Sequence, residues 1–219
     1  MPARLEGLRV VDRRRPVFIV SLNWADVMTL GSVLVACLGL LAAGRGRLSL
    51  AIAIMLGAML IDIFDGALAR RLGLASEFGR YLDSFADVFT YLALPLFVLY
   101  QFGMQDPFSL AALFVFLAAG ILRLTRFNLE GILTGEQGDY YLGLPVTYST
   151  LAVALAFPLW HWLGATARWP IGLALLAMSA AMLVNWRYPK PRNLAGLGAV
   201  VLLVGGVYQA LYLGGVVAP

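Results

Sequence analysis

Seven long stretches of this chain run almost without charge: Asp26–Ala43, Leu48–Ala69, Phe78–Phe102, Pro107–Leu124, Leu144–Leu163, Trp169–Trp186 and Leu194–Val217. A helix needs roughly 20 apolar residues to cross the hydrocarbon of a bilayer, so stretches of this kind predict membrane-spanning helices. Composition agrees. Apolar residues make up 61% of the 219, and charged ones only 13%, about half the ~25% of soluble domains. A disordered chain, a fibrous repeat and a soluble globular domain are excluded. The connections are short and no internal repeat is visible, so one bundle is expected. The fold class predicted is all-α, a polytopic bundle of six core helices over 23–192 and a seventh over 193–219. A cytoplasmic or interfacial arm, 1–22, precedes them, with Leu5–Val11 as a short interfacial helix or a solvated tail ended by Pro16. A single Cys37 excludes an internal disulfide framework, and no Cys/His set resembles a zinc site. The net charge of +4 is too small and scattered for a nucleic-acid binder.

Those basic residues report orientation. Thirteen of the sixteen fall on one side: Arg4, Arg9, Arg13, Arg14, Arg15, Arg70, Arg71, Arg80, Arg123, Arg126, Arg187, Lys190 and Arg192. Arg45, Arg47 and Arg168 fall on the other. Cytoplasmic loops carry the excess of Lys and Arg, so the amino terminus is expected in the cytoplasm. Trp160, Trp162 and Trp169 mark one interface, Trp24 and Trp186 the other.

Acids are scarce, and four lie in or beside apolar spans: Asp62, Asp65, Asp83 and Asp87. A carboxylate within a span is costly and reads as functional by default. Asp62 and Asp65 are three apart, Asp83 and Asp87 four apart, so each pair shares a helix face. One short turn separates the pairs, which lets all four converge just inside the cytoplasmic surface. Four clustered carboxylates cannot all stay ionised without cations, and an all-oxygen set suits Mg²⁺, Mn²⁺ or Ca²⁺. Gly66 removes a side chain where a phosphate or metal could approach, Arg70 offers a fork for phosphate, and Gly79 serves close helix contact. The bland alternative is a rim of salt bridges to Arg70, Arg71 and Arg80; the apolar run Ile52–Ile61 just ahead of Asp62 argues against it.

Read in order, the stretch is Asp62-Ile-Phe-Asp65-Gly66-Ala-Leu-Ala69-Arg70, eight residues, then Gly79-Arg-Tyr-Leu-Asp83-Ser-Phe-Ala-Asp87. It resembles the signature of the CDP-alcohol phosphatidyltransferase family, Asp-x2-Asp-Gly-x2-Ala-Arg-x8-Gly-x3-Asp-x3-Asp, at every fixed position and every gap. The resemblance implies that Asp62, Asp65 and Asp83 hold divalent metal, a pair of Mg²⁺ or Mn²⁺ ions, with Asp87 beside the metals as general base. It implies that Gly66, Arg70 and Gly79 lie against the CDP moiety. Asn23, Asp26 and Thr29, at the opening of the first span, match the family's nucleotide contacts loosely; capping and ordinary packing are their alternative readings.

Arg123-Leu-Thr-Arg126-Phe-Asn128, Gly143-Leu-Pro145 and Arg187-Tyr-Pro189-Lys-Pro191 resemble stretches of the phosphatidylserine synthase branch. The run Val88-Phe-Thr-Tyr-Leu-Ala-Leu-Pro95 departs from it, because that branch has a Ser-Phe-Gly-type run before its proline. Arg123, Arg126 and Asn128 are expected to bind substrate phosphate or the acceptor's carboxylate. Anchoring and helix-dipole stabilisation weigh evenly against that for Arg123. The polar loop Glu130–Tyr141 either covers the site or merely connects. His161 is read as interfacial, and Arg187, Lys190 and Arg192 as lipid-facing anchors. The implied partners are CDP-diacylglycerol, L-serine and membrane lipids, with CMP released and homodimers formed through the helices. The bacterial cytoplasmic membrane is the implied location, with the site at its cytoplasmic face. The rival readings are the same chemistry on inositol phosphate, glycerol phosphate or choline, a cation- or proton-coupled transporter, and a metal-dependent phosphatase that uses water.

Overall fold

The computed structural model describes residues 22–73, 76–131, 133–135 and 138–189, with 196, 203, 206 and 207 singly; side chains at 64–71, 134–139 and 189 are outside the described part. The arm 1–21, Lys190, Arg192 and, apart from those four residues, the expected seventh span lie outside the described residues. The chain is mostly helical. Its helices are α1 (Trp24–Gly44), α2 (Leu48–Arg71), α3 (Glu77–Asp87), α4 (Leu94–Gln101), α5 (Pro107–Glu130), α6 (Tyr148–Leu163) and α7 (Arg168–Leu183). Among the described residues, four helical runs are long and apolar enough to cross a membrane: Trp24–Gly44, Glu77–Gln101, Pro107–Glu130 and Tyr148–Leu183. Leu48–Ile63 is a shorter apolar helix. The last run holds two helices, α6 and α7, joined by a tight 3₁₀ turn at Gly164–Ala167.

Local sequence explains the helix ends. Asn23 caps α1 in a reciprocal capping box: its side chain accepts the Asp26 N–H (3.0 Å), and Asp26 accepts the Asn23 N–H (2.9 Å). Ser76 caps α3 by accepting the Gly79 N–H. Asp106 caps α5 by accepting from Phe108 and Ser109, with Pro107 at the first helical position, where its missing N–H costs nothing. The core is the inward face of the bundle, with Ile52, Met55, Met59, Leu94, Val98 and Phe116 fully or almost fully buried. Much of the outer surface is apolar as well, including Leu34, Phe114, Leu155 and Leu173, as lipid contact requires.

Two expectations need correction. First, the stretch Phe78–Phe102 is not one regular helix. Between α3 and α4 the backbone widens into a π turn over Val88–Ala93, where the Leu94 N–H bonds the carbonyl of Phe89, five residues back. Pro95 supplies the reason. It has no N–H, and in an α-helix its ring would meet the carbonyl of the residue four back, Tyr91. The Ser149 hydroxyl, from α6, donates to that carbonyl instead.

Second, the fold is not wholly α. Leu133–Gly135 (β1), Gly138–Leu142 (β2) and Arg187–Pro189 (β3) form an antiparallel sheet in the order β1-β2-β3. Tyr141 pairs with Tyr188 and Leu142 with Arg187. The polar connection after α5 is therefore half of a sheet, and the Arg187-Tyr-Pro189 stretch is its edge. Strands of three to five residues carry too little alternation to be told from a loop. Gly143 makes the crossing possible. Its φ is +77°, a Cβ there would collide with the carbonyl of Met182, and its N–H bonds the Trp186 carbonyl. The next N–H, of Leu144, takes the Ala181 carbonyl at the end of α7.

Candidate active site

The carboxylates of Asp62 on α2 and of Asp83 and Asp87 on α3 converge. Each offers an oxygen, and these oxygens lie within 4.8 Å of one another in partly buried positions. Helix geometry explains half of this, since Asp83 and Asp87 stand one turn apart on one face of α3. The other half is α1, which packs against both α2 and α3 and so brings Asp62 to that face. Three carboxylates this close repel unless a cation compensates, and an all-oxygen donor set without His or Cys fits a hard divalent ion. Asp65, Gly66 and Arg70 follow Asp62 in α2, but their side chains lie outside the described part.

Tyr91 was not foreseen. Its side chain is fully buried, and its hydroxyl donates to Asp62 Oδ2 at 2.7 Å. It also lies within electrostatic reach of Asp87 and Asp83. The signal was available: Tyr91 is four residues after Asp87, as Asp87 is four after Asp83.

Helix α5 supplies the cationic wall. Arg123 is buried, with its guanidinium 5.1 Å from the Phe127 ring centre and 5.8 Å from that of Tyr141, and it interacts electrostatically with Asp87. Its Nε has no hydrogen-bond partner among the described residues. Arg126, three residues on, points elsewhere. It pairs with Glu130 at 2.9 Å and with Asn185 at 3.3 Å. Asn128 accepts from the Ser84 hydroxyl of α3 at 3.1 Å, tying the two helices together beside the carboxylates. Tyr141 reaches Arg123 because β2 is held by β3.

The opening of α1 packs against the opening of α3. Gly79 faces Asp26 so closely that a Cβ would stand 3.0 Å from Asp26 Oδ1. Asp26 is 2% exposed, and that oxygen has no hydrogen-bond partner among the described residues. The Thr29 hydroxyl donates to the Ala25 carbonyl one turn back. Asn23, Asp26 and Gly79 thus form one polar corner. At the exposed edge, Arg80 pairs with Glu77 at 3.9 Å. His161 is exposed in the last turn of α6, and Arg187 stacks its guanidinium 5.2 Å from the Tyr140 ring centre.

The arrangement can hold a divalent cation against a polyanion, with a guanidinium beside one of the carboxylates. Comparison with known proteins points the same way. The profile of the CDP-alcohol phosphatidyltransferase family matches residues 22–205. A CDP-diacylglycerol–serine O-phosphatidyltransferase of Bacillus subtilis is 27% identical over 131 residues, covering 59% of this chain and 72% of that protein. One of Helicobacter pylori is 29% identical over 175 residues, 75% of this chain and 71% of that protein. An archaetidylserine synthase of Methanothermobacter thermautotrophicus is 27% identical over 177 residues, 80% and 71%.

Proposed function

This chain belongs to the CDP-alcohol phosphatidyltransferase family, an enzyme family of phospholipid biosynthesis, and on that premise we propose that it transfers the phosphatidyl group of CDP-diacylglycerol to the hydroxyl of L-serine. The products are CMP and phosphatidylserine. The observation that carries the reading is the meeting of Asp62, Asp83 and Asp87 with Arg123 at one end of the bundle.

In this reading Asp62, Asp65 and Asp83 hold a pair of Mg²⁺ or Mn²⁺ ions beside Asp87. When bound, the ions neutralise the diphosphate and stabilise the departing phosphate. Gly66, Arg70, Gly79, Asn23, Asp26 and Thr29 cradle the CDP moiety. Gly79 lets the openings of α1 and α3 approach, which sets the buried Asp26 oxygen as an acceptor at this corner. Asp87 takes the proton of the serine hydroxyl, as a carboxylate within hydrogen-bond reach of it can. The hydroxyl oxygen bonds to the β-phosphorus in line with the bridging oxygen, that P–O bond breaks, and CMP leaves with the bridging oxygen.

Arg123 suits the carboxylate of serine. Its guanidinium rests against the adjoining Phe127 and Tyr141 rings and is already desolvated, which strengthens a charge-assisted pair. Asn128 supports the acceptor side by tying α5 to α3, and Arg126, held by Glu130 and Asn185, stands apart from it.

The four long apolar helices and the family make this an integral membrane protein. We place its amino terminus and its site at the cytoplasmic face of a bacterial inner membrane, with six or seven spans and homodimers formed through the helices. A site at the interface lets acyl chains remain in lipid while cytidine and serine arrive from water.

The test presents purified enzyme with CDP-diacylglycerol, Mn²⁺ or Mg²⁺, and serine, inositol phosphate, glycerol phosphate or choline in parallel. CMP release that requires serine is expected. Release with another acceptor and not with serine overturns the acceptor and leaves the family standing. Release with water alone makes the chain a diphosphatase.

A further inference from the structure

We infer that Tyr91 is a positioning residue for the metal site, holding Asp62 in its ligating orientation through the 2.7 Å hydrogen bond from its hydroxyl. The inference rests on the metal-dependent reading of the site.

Four observations carry it. Asp62 stands on α2, while the other two carboxylates of the cluster stand on α3. A ligand on a separate helix must have its rotamer held independently, and outer hydrogen bonds do this in metal sites. Tyr91 is the described group that reaches from the α3–α4 run to Asp62, and it is fully buried, so its ring is locked by packing before any metal arrives. A carboxylate has two oxygens, so Asp62 can accept the Tyr91 hydroxyl at Oδ2 and still offer an oxygen to the cluster.

The π turn serves this placement. In an α-helix of 3.6 residues per turn, positions four apart creep around the axis, and over two such steps the creep accumulates. The five-residue bonds of the π turn unwind the segment just after Asp87. Tyr91 is thereby kept on the face of Asp83 and Asp87 and aimed at α2. The turn in turn is held by Ser149, which donates to the carbonyl of Tyr91 itself.

A buried tyrosine hydroxyl needs a partner in any case, so the test must separate positioning from packing. Tyr91→Phe keeps the ring and removes only the hydroxyl. Mn²⁺ binding to the purified full-length protein, without substrate, is measured by loss of the free-ion EPR signal for wild type, Tyr91→Phe and Asp62→Asn. Outer hydrogen bonds to ligands are worth roughly 10- to 100-fold in metal affinity. Tyr91→Phe should therefore weaken Mn²⁺ binding by about 10-fold or more. The metal concentration for half-maximal CMP release should rise in parallel, with turnover at saturating Mn²⁺ recovered to within roughly threefold of wild type. The thermal midpoint in EDTA should stay close to that of wild type, while the rise in midpoint on adding Mn²⁺ shrinks. An affinity for Mn²⁺ within twofold of wild type overturns the assignment, as does a fall in midpoint that is equal with and without metal. Wild type that binds no Mn²⁺, or Asp62→Asn that binds it normally, overturns the metal reading and this inference with it.

Discussion

The two long helical runs that face each other across the carboxylates are built on opposite plans. Glu77–Gln101 is broken in the middle: regular through Asp87, widened over Val88–Ala93, and regular again from Leu94. Pro107–Glu130 is continuous from a proline at its first position to Gly131. The broken run carries the charge-bearing chemistry, Asp83, Asp87 and Tyr91. The continuous run carries what grips, Arg123 and Asn128. A widened turn stands where groups must be aimed, and regularity is kept where a side chain need only be presented. π turns are found at functional sites for the same reason.

The hardest way to break the comparison is at the carboxylates. Asp62→Asn and Asp83→Asn should abolish CMP release at every Mn²⁺ concentration, and activity that persists in EDTA would refute the metal site. Asp87→Asn should still bind CDP-diacylglycerol while losing at least roughly two orders of magnitude in rate, the scale of a general base. A near-normal rate would remove Asp87 from that role.

Next comes the continuous helix. Arg123→Lys keeps the charge but loses the planar fork that rests against Phe127 and Tyr141. The serine KM should rise by about 10-fold or more, the value of a hydrogen bond to a charged group at ~1.5–3 kcal/mol. Arg126→Lys, at a half-exposed position paired with Glu130, should move it by less than about twofold, since exposed pairs contribute ~0–1 kcal/mol. Equal effects at both positions would dissolve the distinction between them.

A sharper comparison uses one chemistry in both runs. The Ser149 hydroxyl serves the Tyr91 carbonyl, which Pro95 cannot serve; the Thr125 hydroxyl serves the Ile121 carbonyl within regular helix. Ser149→Ala should cost about 1–3 kcal/mol, the penalty of a buried group left unpaired, and Thr125→Ala less than about 0.5 kcal/mol. Thermal midpoints in detergent measure both.

The smallest effect concerns the cap of α5. The Ser109 hydroxyl, with further help from the Ser109 N–H, holds the Asp106 carboxyl below its usual range. A lowered value in the folded state means that the cap contributes fully above the unfolded carboxylate's range and is lost as pH falls through the lowered value. The midpoint difference between wild type and Asp106→Ala should be present at neutral pH and vanish in acid.

Much of this architecture was legible in the residues. The first six apolar stretches each fell on a helical segment, with the end of α5 lying at Glu130, beyond the expected Leu124, because lipid and helix geometry leave few options. The convergence of Asp62 with Asp83 and Asp87 followed from spacing and one short turn. What stayed hidden depends on contacts between distant parts. Tyr91 reads as one more aromatic in an apolar run until α2 is packed beside it. The sheet depends on Tyr141 finding Tyr188, which no local pattern announces. Arg123 and Arg126 share one motif; the i,i+4 spacing offers Glu130 to Arg126, but only packing brings Arg123 to Asp87.

The pairing of β2 with β3 also sets an order of events. Synthesis runs from the amino terminus, and the strand that holds Tyr141 beside Arg123 is itself held by residues made after α7. The carboxylates, the arginine and both long runs emerge from the ribosome well before their neighbouring wall can close. A nascent chain thus carries the chemical groups early and gains the enclosure late, so that the catalyst matures at the end of translation and membrane insertion.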